Sequence, residues 1–169
     1  MTEKLFAKVG EQTIAYRVSG SGPCLLLVAG TGYAGDTWGR EFVERLEPHF
    51  SVVTFDHRGT GASPGSDTAY STRLFARDAI GLLDELGEER AHVLGHSMGG
   101  RVAQWMAIDG KPRVASLVLA SSGAGGHVDV PSNPDDASRH ARVAIENIGY
   151  REYVEDLQRR TFFTPEFLA

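Results

Sequence analysis

The chain has 169 residues, of which 41% are hydrophobic and 23% charged, and its formal net charge is −5 at pH 7. That is the length of one domain whose core removes about 70% of the unfolded surface from water. The acidic balance lacks the basic footprint with which proteins hold nucleic acid or an anionic membrane surface, and no apolar run approaches the roughly 20 residues that span a bilayer.

No N-terminal basic-then-apolar segment occurs. The single cysteine, Cys24, excludes an internal disulfide, and the scattered histidines offer no zinc spacing. The expectation is a soluble, cytoplasmic protein with no metal and no other cofactor. Residues 4–9 and 12–18 read as two short strands around the Gly10-Glu11 turn. Gly20-Ser21-Gly22-Pro23 breaks the chain, and residues 24–29 are a continuous apolar run, the mark of a strand covered on both faces. It runs into the loop Gly30-Thr31-Gly32. Asp36 or Thr37 caps a helix with Trp38, Phe42, Val43 and Leu46 on one face, stopping at Pro48.

Residues 51–56 form a second buried strand, followed by His57-Arg58-Gly59-Thr60-Gly61-Ala62-Ser63. The glycine spacing there matches neither a dinucleotide fingerprint nor a lysine-containing phosphate loop, and Asp56 and Arg58 are read as braces of the loop. A helix then begins at Ser71 or Thr72, places Phe75, Ala79, Leu82, Leu83 and Leu86 at helical spacing, and stops at Gly87.

Residues 91–94 are a short apolar run leading into Gly95-His96-Ser97-Met98-Gly99. This is a Gly-x-Ser-x-Gly pattern, in which a sharp strand-to-helix turn lifts a serine hydroxyl above the end of a sheet. The glycines two before and two after the serine have a steric task, because the turn forces backbones together. The helix should begin at the serine, so that its free N–H groups and positive end face an oxyanion formed there. Gly99, Ala103 and Ala107, four apart, let that helix sit close on a sheet before it ends at Gly110 and Pro112. His96 is read as packing or hydrogen-bonding locally, and Arg101 as solvated. The plainer alternative is a Gly/Ser turn with no chemistry.

Val114–Ala120 reads as the next buried strand, and the alternation of strands with helices argues for a mostly parallel sheet with helices on both faces. After residues 121–126 the rhythm changes. Ser132 or Asn133 caps one helix, Tyr150, Tyr153, Val154 and Leu157 suggest another, and Thr164-Pro165-Glu166 opens a third.

Three motifs in order, Gly30-Thr31-Gly32, Asp56 to Ser63, and Gly95-His96-Ser97-Met98-Gly99-Gly100, resemble the α/β-hydrolase superfamily. Within it the chain looks most like the group of 3-oxoadipate enol-lactonases, small carboxylesterases and meta-cleavage-product hydrolases. The resemblance implies an α/β-hydrolase core over residues 1–126, truncated after its sixth strand, and the beginning of a helical cap over residues 127–169. It implies a serine hydrolase acting on a small ester, lactone or carbon–carbon bond through an acyl-enzyme on Ser97. The backbone N–H groups of Met98 and Thr31 would form the oxyanion hole. Where many relatives carry His-Gly, this chain has Ala29-Gly30. Serine at the elbow, instead of aspartate, disfavours the dehalogenases and epoxide hydrolases of the fold.

In that family the chain order is serine, acid, histidine, which places the acid and the base beyond Ala169 and makes this chain the N-terminal part of a longer protein. His127 and Asp129 are the alternative pair. A fold cut there would leave Val114–Ala120 as an apolar edge, inviting self-association or pairing with a missing C-terminal segment. The competing reading is a non-catalytic binding module that keeps the fold.

Overall fold

The computed structural model describes residues 3–123. Two strands, β1 (Leu5–Val9) and β2 (Gln12–Gly20), form the expected hairpin. They are followed by β3 (Cys24–Val28), helix α1 (Arg40–Leu46), β4 (Ser51–Phe55) and helix α2 (Thr72–Glu85). Strand β5 (Ala91–His96), helix α3 (Met98–Asp109) and β6 (Val114–Ala120) complete the described residues. The strands make one sheet in the order β1-β2-β4-β3-β5-β6. The hairpin joins it antiparallel through β2 and β4, and the other four strands are mutually parallel. This is an α/β-hydrolase fold.

Every residue of β3 is buried, and its two faces feed two different cores. Cys24, Leu26 and Val28 pack with Phe75, Leu82 and Leu83 of α2 and Val102, Ala103 and Met106 of α3. Leu25 and Leu27 face the other way, with Val52, against Trp38, Val43 and Leu46. The period of two along the strand thus places α2 and α3 on one side and α1 on the other. Each fully buried large apolar side chain contributes about 1.5–3 kcal/mol.

Helix α2 starts where its cap predicts: the Ser71 hydroxyl accepts the Leu74 N–H at 3.1 Å. Gly87, at φ 70, follows its end. The helix expected from Asp36 or Thr37 to Leu46 is instead two pieces, a 3-10 turn over Gly35–Trp38 and then α1. Gly39, at φ 74, divides them, because a right-handed helix cannot continue through a left-handed residue. Neither Asp36 nor Thr37 is the cap of α1.

β6 departs from the expectation of a buried strand. Leu117, Val118 and Leu119 are 36%, 52% and 44% exposed. Among the described residues β5 is its one neighbour in the sheet, so an apolar sequence alone has not buried it. The expected cap over residues 127–169 lies outside the described residues. Within them, no helix is long and apolar enough to cross a membrane.

Candidate active site

Ser97 sits between β5 and α3 as the N-cap of the helix, at φ 55 and ψ −119. A side chain at such a backbone conformation costs on the order of 1–3 kcal/mol and persists only where its surroundings impose it. Here the surroundings do. The Ser97 N–H donates to the Ala120 carbonyl at 3.0 Å. Its own carbonyl accepts the Gly100 N–H at 3.0 Å and the Ser122 hydroxyl at 2.8 Å.

The flanking glycines are demanded by close approach. A Cβ on Gly95 would run into the Gly99 carbonyl oxygen and stand 2.7 Å from the Gly100 Cα. One on Gly99 would run into the Val28 carbonyl oxygen and stand 2.6 Å from that of Ala29. The first turn of α3 is thereby pressed onto the ends of β5 and β3. Helix α3 opens at Met98 with Ser97 as its N-cap, so the Met98 N–H belongs to the first-turn donors that have no intrahelical acceptor, at the positive end of the helix.

β3 and β5 are parallel neighbours with Val28 opposite Gly95, so the loops that leave their carboxyl ends emerge side by side. From β3 the sheet order runs to β4 on one side and to β5 on the other, and a crevice opens at such a switch point. The loop after β3 turns at once: the Tyr33 N–H donates to the Gly30 carbonyl at 3.2 Å, with Gly32 at φ 74. Thr31, exposed at the tip of this turn, lines a recess of about 240 Å³ with Ser97, Met98, Arg101 and the segment Ser121, Ser122 and Gly123.

The loop after β4 supports the site from behind. Asp56 is 1% exposed; its Oδ1 accepts the Gly35 N–H at 2.8 Å and its Oδ2 accepts the Ala62 N–H at 2.8 Å. Lys4 donates to the same Oδ2 at 3.0 Å and lies 3.2 Å from Asp36, which Arg17 also reaches at 2.9 Å. Burial works against the Lys4 ammonium, yet the hydrogen bonds to Asp56 and Asp36 hold it above its ordinary range. Partial burial likewise opposes the Asp36 carboxylate, yet the hydrogen bonds from Arg17 and Lys4 hold the carboxyl below the usual carboxylate range.

Arg58 makes a buried two-pronged pair with Asp78 of α2, Nε to Oδ2 at 2.6 Å and Nη2 to Oδ1 at 2.5 Å. Asp56 and Arg58 therefore both brace their loop. Removing one partner of such a buried pair typically costs about 3–5 kcal/mol, because the other charge is left alone.

His96, half-buried, meets the Trp38 ring edge-on at 6.4 Å. The sequence reading passed over two residues. Ser122 holds the elbow carbonyl, and His57, 1% exposed, donates from Nε2 to the Ala29 carbonyl at 3.2 Å. The signal for Ser122 was its place just after a parallel strand adjoining the serine strand; His57 offered none, since its partner Ala29 lies just past a different strand, β3. His127 and Asp129 lie outside the described residues. Among those described, no group of three His, Cys, Asp or Glu side chains is placed to hold a metal ion.

A serine at a strained turn between a parallel strand and a helix, beside a turn from the adjoining strand, defines the hydrolase class of α/β proteins. The profile of the family described as alpha/beta hydrolase fold matches residues 23–167, and the chain belongs to that family. It is 37% identical over 147 residues to a putative carbamate hydrolase, RutD, of Variovorax paradoxus, covering 83% of this chain and 52% of that protein. It is 40% identical over 105 residues to the rhodomycin D methylesterase DnrP of Streptomyces peucetius, covering 59% of this chain and 35% of that one. Among solved structures, the enol-lactonase of Burkholderia xenovorans LB400 superposes with a TM-score of 0.82 at 25% identity, covering 97% of this chain and 62% of the enzyme. A hydrolase of Pseudomonas aeruginosa PA01 gives 0.83 at 29% identity, with 98% and 61% covered. The chain spans about half or less of the length of these curated relatives.

Proposed function

We propose that this chain carries the nucleophile portion of a serine hydrolase for a small carboxylic ester or lactone. The observation that supports it most is Ser97 itself, a non-glycine residue held at φ 55 on the rim of a recess it shares with Thr31 and Met98. A binding module has no use for that strain, since glycine would fill the turn without it.

In this reading the Ser97 Oγ attacks the substrate carbonyl carbon while a base takes its proton. The carbonyl oxygen becomes an oxyanion, held by the N–H groups of Met98 and Thr31, and the carbon–oxygen bond to the leaving alkoxide then breaks as the base returns the proton. Water hydrolyses the resulting acyl-enzyme by the same steps in reverse order. No histidine or carboxylate among the described residues lines the recess, so the base and its orienting acid are assigned outside residues 3–123. The relatives named methylesterase and enol-lactonase both act at an ester carbonyl, and this supports the choice of substrate class.

A fluorophosphonate probe tests the assignment. In a protein that also supplies the base and its acid, peptide mapping should find the phosphonyl adduct on Ser97 and on no other serine. Undiminished labelling in the Ser97→Ala variant would refute the reading.

A further inference from the structure

Both ends of the loop between β3 and the 3-10 turn at Gly35–Trp38 are tied to the two consecutive residues that follow β4. At its entrance the Ala29 carbonyl faces His57 Nε2 at 3.2 Å; at its exit the Gly35 N–H donates to Asp56 Oδ1 at 2.8 Å. A carbonyl can only accept, so Nε2 carries the imidazole proton and Nδ1 carries the lone pair. That Nδ1 is buried without a hydrogen-bond partner. The ring is wedged between Phe55 and Phe75, each with its centroid 4.9 Å away, where an apolar side chain would pack as well. A polar ring kept in an apolar slot with one nitrogen unsatisfied is there for its single remaining bond.

That bond has a directional consequence. No peptide in the described residues is cis, and in a trans peptide the C=O of one residue and the N–H of the next point in opposite directions. Drawing the Ala29 carbonyl inward, toward His57 and the Gly99 backbone, turns the Gly30 N–H outward. The Gly30 carbonyl, taken up by the Tyr33 N–H at 3.2 Å, then sets the opposite direction for the Thr31 N–H.

We propose that His57 is a positioning residue of the oxyanion site: through Nε2–H it fixes the peptide from which the turn carrying Thr31 begins, while Asp56 fixes the point where the loop rejoins the fold. The inference rests on the reading of Thr31 as an oxyanion donor. Burial keeps His57 below the usual imidazole range, so the neutral, singly protonated form that makes this bond prevails at neutral pH.

The test compares His57→Leu, which fills the slot without a donor, with His57→Gln, which restores one. Amide hydrogen exchange over residues 29–35 is followed in both, with the urea midpoint as a control for global stability. Exchange in the loop should rise in His57→Leu and return toward the unmodified rate in His57→Gln. In a protein that supplies the base and acid, the acylation rate of Ser97 by an activated ester should fall on the order of 100-fold in His57→Leu, with KM little changed, as a misaimed donor demands.

Unaltered loop exchange in a folded His57→Leu protein overturns the proposal. So does an equal loss in His57→Gln, and so does a KM change that accounts for the whole effect. If His57→Leu does not fold, loop exchange and acylation in His57→Gln and in His57→Asn, whose shorter amide cannot reach Ala29, decide the matter. Should Ser97 fail to take the fluorophosphonate in an unmodified protein that supplies the base and acid, the reading of the reaction falls, and loop exchange still decides whether His57 holds Ala29.

Discussion

β3 and β6 are written in the same alphabet, Cys-Leu-Leu-Leu-Val and Val-Ala-Ser-Leu-Val-Leu-Ala, yet one is wholly buried and the other largely exposed. Position in the sheet makes the difference. β3 lies between β4 and β5 with helices over both faces, whereas β6 is the last strand of the order among the described residues. Apolar composition therefore marks a strand's capacity to be buried, and the neighbours decide whether that capacity is used.

The sharpest contrast should come from truncating one leucine in each strand. Leu26→Ala, at a residue 0% exposed, is expected to cost about 2–5 kcal/mol in urea unfolding. Leu117→Ala, 36% exposed, should cost less than about 1 kcal/mol. Equal losses would mean that β6 is buried in solution.

The thiol of Cys24 offers a chemical version of the same comparison. Burial, with a smaller contribution from the Glu88 charge, pushes it from 9.0 up to about 12. In the unfolded chain the thiol ionises at the lower value, so the native state holds its proton longer. The stability this confers is complete below about pH 9 and is lost as pH rises toward 12. Cys24→Val should remove that part of the alkaline loss. In the native protein Ellman's reagent should leave Cys24 untouched, while a cysteine introduced by Val118→Cys reacts at once.

A smaller effect is expected where β5 ends. Ser97→Gly relieves a side chain at φ 55 and should raise the unfolding free energy by about 1 kcal/mol while abolishing labelling by a fluorophosphonate. Ser97→Ala abolishes labelling with no such gain. Smallest in stability is Val118→Lys, within about 0.5 kcal/mol of the unmodified chain. Because β6 is proposed as the surface of self-association, this lysine should nonetheless shift the sedimentation profile toward monomer. An unchanged profile would remove β6 from that role.

Much of this molecule was legible in its residues because the determinants are local. The continuous apolar run of β3, the Ser71 cap of α2 and the glycines around Ser97 each act within a few residues of where they stand. Strand type, helix start and the tight turn at the serine followed directly. Even there a local rule failed at Gly39, whose left-handed backbone split the helix expected from Asp36 to Leu46. Asp56 and Arg58 could be read as braces of their loop, but not the partners, Gly35, Ala62 and Asp78, through which they brace it.

What the sequence by itself determined is the set of elements, their amphipathic faces and the serine that the turn presents. Only the tertiary structure decided which loops share the recess, since Thr31 and Ser97 line it together because β3 pairs with β5. It alone decided that the Ser122 hydroxyl holds the elbow, that His57 reaches Ala29 from the loop after β4, and that β6 ends the sheet among the described residues. Each of these depends on strand order, which is set by the packing of whole faces across the sheet. A hydrogen bond or an exposed edge that depends on strand order leaves no periodic trace in the chain.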